Sequence, residues 1–223
     1  MIDITERKRW EEHQRLLINE LNHRVKNTLA VVQSLARQSL RRGIDPEVAR
    51  HALEARLAAL SAAHNLITQQ NWEGARLGEI VENSVRAAMD LDRPRVSWRG
   101  PDVHLSPQRA VSIALAVHEL CTNATKYGAL SVETGRVEID WRLVPEPAGR
   151  RRLVFAWRET GGPRIRPPAR RGFGMRLLEQ GLASELDGRI QVDFPPEGIV
   201  VTLETALPEN HVEASDELTP APG

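Results

Sequence analysis

Apolar and polar residues alternate at helical spacing through the N-terminal part of the chain. We predict one amphipathic helix from about Thr5 to Arg42, because its apolar positions recur every three or four residues. Those positions are Leu17, Leu21, Val25, Leu29, Val32 and Ala36. His23 falls opposite this stripe and is predicted to face solvent, with Arg24 and Lys26 close behind it. An exposed imidazole beside cations suits a phosphoryl acceptor, although most histidines on a polar helix face are simply solvated.

A second helix is predicted after Gly43, with Asp45 as its N-cap and Pro46 at its first helical position. We expect it to continue to about Gln70. Its candidate apolar residues are Val48, Leu53, Leu57, Leu60, Leu66 and Ile67. The short connection predicts antiparallel neighbours. Such a hairpin does not bury both stripes by itself, so a second copy completing a four-helix bundle is its simplest partner.

Beyond Trp72 the periodicity indicates shorter elements. Helices are predicted over residues 77–89, 106–126 and 174–186, with Ser106 and Pro107 capping the second. Strands are predicted over residues 95–98, 137–143, 153–157, 189–194 and 198–205. Helices interspersed with mostly hairpin-connected strands predict an α+β sandwich. Residues 209–223 have few apolar side chains, which predicts a disordered tail.

Composition narrows the class of protein. Hydrophobic residues make up 41% of the 223 and aromatic residues only 4%, so the core must be mainly aliphatic. The formal net charge is zero, which gives no general reason to expect nucleic acid or an anionic membrane as a partner. The only cysteine, Cys121, excludes an intrachain disulfide and favours a reducing compartment. No apolar run reaches the roughly 18 residues of a membrane span, and residues 1–8 lack the apolar h-region that is typical of a signal peptide. We therefore expect a soluble cytoplasmic chain or a soluble fragment of a longer one.

A group of polar residues stands at the end of the predicted 106–126 helix. Glu119 and Asn123 are four residues apart and share one helix face, with Lys126 near that face one turn later. The amide can ligate Mg²⁺, the carboxylate can take a proton, and the ammonium can sit against phosphate. These properties suit a nucleotide. A solvated polar face, with a lysine favoured by the helix dipole, is an equally good explanation of this group alone.

Two glycine segments follow. Glu159 ends a strand and precedes Gly161 and Gly162, so its carboxylate could accept a hydrogen bond from a base while the glycines let the ring approach the backbone. Gly172 and Gly174 open a predicted helix whose N–H groups could bind phosphate. Taken singly, each segment is also explained as an ordinary turn.

In this order and spacing, the His23 helix, the Asn123 helix and the two glycine segments resemble a sensor histidine kinase with a GHKL-type ATP-binding domain. More narrowly they resemble the HWE subfamily, because His118 and Trp157-x-Glu159 match the histidine, tryptophan and glutamate that the letters of its name stand for. The resemblance spans about residues 10–207. It implies an antiparallel hairpin over 1–72 for dimerisation and phosphotransfer, an α/β-sandwich ATP-binding domain over 73–208, and the tail.

The resemblance also implies chemical roles. His23 would be the phosphoacceptor, Asn123 would hold Mg²⁺ at the phosphates of ATP, and Glu119 would activate or orient the imidazole. Many histidine kinases have an acid directly after the phosphoacceptor, but here Arg24 follows His23. The general base is therefore expected on the ATP-binding domain, with Glu119 as the leading candidate.

The remaining roles concern the nucleotide pocket. By resemblance, Lys126 and Tyr127 would contact the nucleotide and Glu159 would occupy the place of an adenine-recognising aspartate. The pocket and its lid would be shaped by Gly161, Gly172 and Gly174. The lid contains Arg164, Arg166, Arg170 and Arg171. One of these arginines is expected to stabilise the transferring phosphoryl group, although a solvated basic loop is the simpler explanation of any single one.

The implied activity is ATP-dependent autophosphorylation on His23, followed by transfer to an aspartate of a response-regulator receiver domain. A homodimer through the hairpin is expected, with a monomer kept open because some members of the subfamily are monomeric. Residues 3–8 resemble the end of a PAS or LOV sensor domain, which implies such a domain upstream but outside this chain. Two alternatives stay open: another GHKL ATPase or protein-serine kinase, and a non-catalytic docking or phosphotransfer module.

Overall fold

A computed structural model describes residues 14, 15, 18, 22, 25–26, 28–33, 35–37, 39–40, 45–69, 74–88, 95–163 and 186–207. Its packing separates two compact units, Met1–Leu57 and Ala58–Gly223. The predicted tail, the lid and nearly all of the predicted 174–186 helix lie outside the described residues. No described helix is both long and apolar enough to cross a membrane.

The first unit is helical where it is described. Described residues from 14 to 39 are helical, and helix α1 spans Pro46–Gln69. The Oδ1 oxygen of Asp45 accepts hydrogen bonds from the backbone nitrogens of Glu47 (2.9 Å) and Val48 (3.3 Å), which confirms Asp45 as the N-cap. Within this unit the Arg56 guanidinium donates to the Ser39 hydroxyl at 2.7 Å, between two buried side chains. The complete hairpin arrangement remains a prediction.

The apolar residues predicted for α1 are buried to different extents. Leu60 and Ile67, in the second unit, are buried, whereas Val48 is 60% exposed and Leu57 is 36% exposed. Periodicity predicts which residues share a face, but the burial of each turn depends on what packs against it.

The second unit combines further helices with strands. Helix α2 spans Leu77–Ala88 and helix α3 spans Pro107–Lys126, with single 3₁₀ turns at Ala129–Ser131 and Pro147–Gly149. The strands are β1 Ala75–Arg76, β2 Val96–Arg99, β3 His104–Leu105, β4 Arg136–Pro145, β5 Arg151–Thr160, β6 Gly188–Asp193 and β7 Val200–Leu207. The predicted strands are confirmed to within a few residues. Strands β1 and β3 were not predicted, because two residues are too short to show alternation.

The sheet is mixed. Among the described residues five strands run in the order β2-β4-β5-β7-β6, and β1 pairs separately with β3. Strand β2 is parallel to β4, and the other neighbours in the larger sheet are antiparallel. This is the predicted α+β class. Ser106 precedes α3 as predicted, but its side chain makes no capping hydrogen bond.

Helix α3 runs through the middle of the core of the second unit. Residues 112–121 are all buried. Apolar side chains of this helix pack in one hydrophobic cluster with apolar side chains of the sheet and of the other helices. The inward residues of β5 are Leu153, Phe155 and Trp157, which alternate along the strand and belong to that cluster. Helix α3 and strand β5 therefore pack together in the core. The polar residues at their ends lie at the edge of this core.

Candidate nucleotide site

The polar residues of α3 lie where this helix leaves the core. Glu119 is buried at 5% exposure, Asn123 is half-buried, and Lys126 and Tyr127 are exposed, with Tyr127 at 73%. Because Glu119, Asn123 and Lys126 lie four and three residues apart, they follow one side of the helix from the core towards solvent. The sequence predicted that these three residues share one helix face. The increase in exposure from Glu119 through Asn123 to Lys126 is consistent with that prediction.

Asn123 is the residue in this group best suited to bind a ligand. Its side chain is half-buried between the buried Glu119 and the exposed Lys126. Magnesium prefers oxygen ligands and usually keeps several waters beside substrate phosphates. Within the described parts of the chain no three His, Cys, Asp or Glu side chains form a metal cluster. An amide oxygen has the chemistry to serve as one Mg²⁺ ligand beside phosphates and waters.

Glu159 lies at the end of β5 and is only 2% exposed. Its Oε2 oxygen accepts a hydrogen bond from the backbone nitrogen of Ala129 at 2.7 Å. Its Oε1 oxygen accepts one from the indole nitrogen of Trp157 at 3.1 Å. Burial raises the pKa of the Glu159 carboxyl above its ordinary value, and these two donors oppose the shift by favouring the charged form.

The turn after α3 is tied to the end of β5. A Cβ atom on Gly128 would lie 2.1 Å from the Oε2 oxygen of Glu159, so only glycine fits there. The Thr134 hydroxyl donates to the carbonyl of Gly161 at 2.9 Å. The Arg95 guanidinium donates to the carbonyl of Val132 at 2.6 Å. These contacts bring the end of α3 and the first glycine segment to one place.

Gly161 has a positive φ of +69°, and a Cβ there would lie 2.7 Å from the carbonyl oxygen of Thr134. The position therefore needs glycine for both backbone conformation and space. The contributions of Arg95, Ala129 and Thr134 were missed by sequence reasoning. A backbone donor such as Ala129 leaves no signal in residue type, and only the Tyr127-Gly128 step hinted at a turn.

Two other residues of α3 are buried close by. Cys121 is fully buried, and burial, together with the nearby Glu159 carboxylate, raises the pKa of its thiol. His118 lines a small cavity on the side of the helix that meets α1 and α2, with Ala59, Ile80 and Ser84 among the other lining residues. His23, Gly172, Gly174 and the four lid arginines lie outside the described residues.

Known proteins resemble this chain in sequence. Residues 20–102 match the family model described as HWE histidine kinase. Over 201 residues the chain is 40% identical to a blue-light-activated histidine kinase of Brucella anthropi, covering 90% of this chain and 41% of that protein. Residues 20–102 are thus similar to HWE histidine kinases. Over 199 residues the chain is also 41% identical to a blue-light-activated histidine kinase of Brucella ovis, covering 89% of this chain and 40% of that protein.

The chain spans about two fifths of the length of the curated proteins it matches. Among solved structures, the blue-light-activated histidine kinase EL346 of Erythrobacter litoralis superposes with a TM-score of 0.56 at 22% identity. The match covers 85% of this chain and 58% of that chain. This likeness supports the α+β fold described above.

Proposed function

We propose that this chain is the kinase part of a two-component sensor histidine kinase. It would phosphorylate His23 at the expense of ATP and pass the phosphoryl group to an aspartate of a response-regulator receiver domain. The observation that carries the proposal is the order along α3 of the buried Glu119, the half-buried Asn123 and the exposed Lys126. The HWE family match supports the reaction class.

In the proposed site, bound ATP would supply the phosphoryl group and Mg²⁺ would neutralise its charge. Asn123 would hold the metal, and Lys126 and Tyr127, both exposed, would contact the nucleotide. Glu119 would orient or deprotonate the accepting imidazole of His23. Residues Glu159, Gly161, Gly172 and Gly174 would form the pocket and its lid.

We extend the proposal to domain organisation and assembly. Residues 1–72 would form the dimerisation and phosphotransfer hairpin, residues 73–208 the ATP-binding domain, and 209–223 a tail. Val25 and Leu29, on the predicted apolar stripe of the first helix, are 49% and 54% exposed, which supports a second copy of the chain as their partner. A PAS- or LOV-like sensor domain would act on this hairpin.

Phosphoryl labelling tests the proposal. The chain is incubated with γ-labelled ATP and Mg²⁺, and the label is challenged with acid and with base. We expect an acid-labile, base-stable label that is absent from His23→Ala and from samples treated with EDTA. Asn123→Ala is expected to bind nucleotide but to lose the label, whereas Asn65→Ala, an exposed asparagine of α1, serves as the matched control.

Three outcomes would overturn the proposal. Label that survives in His23→Ala would place the phosphoryl group elsewhere, and acid-stable label would indicate a serine or threonine kinase. ATP hydrolysis with no protein-bound label would indicate an ATPase. Size measurement by light scattering decides between dimer and monomer.

A further inference from the structure

One arginine contacts the connection between α3 and β4 near both of its ends. The Nη1 nitrogen of Arg95, just before β2, donates to the carbonyl of Val132 at 2.6 Å and to that of Leu130 at 3.3 Å. These carbonyls lie at the end of the Ala129–Ser131 turn, where Val132 is the C-cap. Arginine can satisfy the last carbonyls of a helical turn, and hydrogen bonds from a charged donor are stronger than neutral ones. The carbonyl of Arg95 also accepts from the backbone nitrogen of Val137 at 2.9 Å, near the start of β4.

The α3–β4 loop, residues 128–135, packs backbone to backbone against the first glycine segment. A Cβ on Gly161 would lie 2.7 Å from the carbonyl oxygen of Thr134, and a Cβ on Gly162 would lie 2.6 Å from the Cα of Ala129. No side chain separates these backbones. Because the packing is this close, a shift of the loop must either move the glycine segment or break the contact.

The same loop reaches the acid at the end of β5. The backbone nitrogen of Ala129 donates to the Oε2 oxygen of Glu159 at 2.7 Å. A carboxylate oxygen has two lone pairs, so each oxygen of Glu159 can accept a second hydrogen bond, including one from the amine of a base. In the proposed nucleotide site Glu159 and Gly161 would lie at the base end, whereas Asn123 and Lys126 would meet the phosphates. The position of the α3–β4 loop therefore affects the base end of that site.

We propose that Arg95 is a positioning residue of the nucleotide site, which holds the α3–β4 loop in place and thereby fixes the base end of the pocket around Glu159 and Gly161. The inference rests on the proposed function, because the pocket is the one proposed there for ATP. Arg95 would touch neither nucleotide nor metal and would act through the backbone of the loop. Loss of its guanidinium should loosen the loop and lower the affinity for ATP, but it should not change the rate of phosphoryl transfer at saturating ATP.

The first test needs no nucleotide. Amide hydrogen exchange is followed at Ala129 in the whole chain, comparing wild type with Arg95→Met and Arg95→Lys. Methionine keeps an apolar stem but has no donor, whereas lysine keeps the charge and carries three donors on one nitrogen. Since Nη1 of Arg95 makes both bonds by itself, lysine can replace it. We expect exchange at Ala129 to accelerate about tenfold in Arg95→Met and to stay within about threefold of wild type in Arg95→Lys.

Two controls accompany this test. Arg99→Met removes an exposed arginine at the other end of β2, and exchange at Ala129 should stay within about twofold of wild type. The amide of Leu77, which donates to the carbonyl of Val103 at 2.8 Å, reports on general unfolding and should be unaffected by Arg95→Met. Unchanged exchange at Ala129 in Arg95→Met would overturn the inference. Equal acceleration at Ala129 and Leu77 would also overturn it, because that result indicates a loss of overall stability.

The second test measures dissociation constants for ATP and for inosine triphosphate, which has an oxygen where adenine has its amine. We expect Arg95→Met to weaken ATP about tenfold and inosine triphosphate less, so that the preference for ATP decreases. The rate of His23 labelling at saturating ATP should stay within about twofold of wild type, and Arg95→Lys should restore most of the ATP affinity.

Equal weakening of the two nucleotides, or a lower labelling rate with unchanged ATP affinity, would overturn the inference. If wild type binds neither nucleotide, the proposed function fails, while the exchange at Ala129 still decides whether Arg95 holds the loop.

Discussion

The indole nitrogen of Trp157 lies 3.1 Å from the Oε1 oxygen of Glu159, two residues further along β5. Alternate residues of a strand point to the same face, so this spacing lets one side chain donate to the other within the core. The relationship gives a physical reason for a tryptophan and a glutamate two positions apart in this strand. The Trp157 side chain both packs in the apolar core and donates the hydrogen bond that Glu159 accepts.

The stability of the protein should depend on pH through Glu159. Burial raises its folded-state pKa above the ordinary value of 4.5, so the native state binds this proton more tightly than the unfolded state does. The contribution of Glu159 to the free energy of unfolding should therefore be largest below the unfolded pKa. It should fall as pH rises through the folded pKa and then stay constant.

Urea unfolding of wild type and Glu159→Gln at a series of pH values from about 4 to 8 measures this contribution. The stability of wild type relative to the variant should decrease with rising pH, because glutamine does not titrate. A difference that is flat, or that increases with pH, would contradict the predicted direction of the shift.

Gly128→Ala should disturb Glu159 without changing the carboxylate itself. The new Cβ would meet the Oε2 oxygen of Glu159 at 2.1 Å and the Cα of Ala124 at 2.9 Å. We expect a loss of about 1–3 kcal/mol in the free energy of unfolding, the usual cost of overpacking, together with faster exchange at Ala129.

The control for that substitution is Gly78→Ala in α2, where the nearest atom to the new Cβ is Cζ2 of Trp141 at 3.9 Å. This is an ordinary contact, and alanine favours the helix, so stability should rise by up to about 1 kcal/mol. Equal destabilisation by both substitutions, measured by denaturant unfolding, would argue against the close packing at Gly128.

Asp45→Ala should destabilise α1 by about 1 kcal/mol, because the Oδ1 oxygen accepts from two backbone N–H groups of its first turn. Ser106→Ala is the matched comparison, since Ser106 precedes α3 but makes no side-chain capping bond. Its effect on the free energy of unfolding should be close to zero. A Ser106→Ala cost as large as that of Asp45→Ala would show that the capping bonds are not the cause.

The thiol of Cys121 should be unreactive in the native protein. Only the thiolate is nucleophilic, and burial together with the nearby Glu159 raises the pKa of this thiol. Iodoacetamide should label the chain only after unfolding, and mass spectrometry assigns the label without ambiguity because Cys121 is the only cysteine. Stoichiometric labelling under native conditions would contradict the buried position.

Prediction from sequence was most accurate where local patterns are long. The 3.6-residue period indicated α1, α2 and α3, and alternation indicated β4 and β5, because local sequence decides which residues share a face. The N-cap at Asp45 followed from residue type. The same reasoning missed β1 and β3, and it did not predict how far each apolar residue of α1 is buried, such as the exposed Val48. Those features depend on partners that are distant in the chain.

For the candidate site, the sequence alone determined the residue types and their order: an acid, an amide and an ammonium on one helix, then a Trp-x-Glu pair before two glycines. Only the tertiary structure decided that both oxygens of Glu159 are used within the protein. The Ala129 donor is 30 residues away and Arg95 is 37 residues from the carbonyl that it binds. Such contacts form when a helix packs against a sheet and buried polar groups must find partners, so they follow from the packing and not from any local pattern.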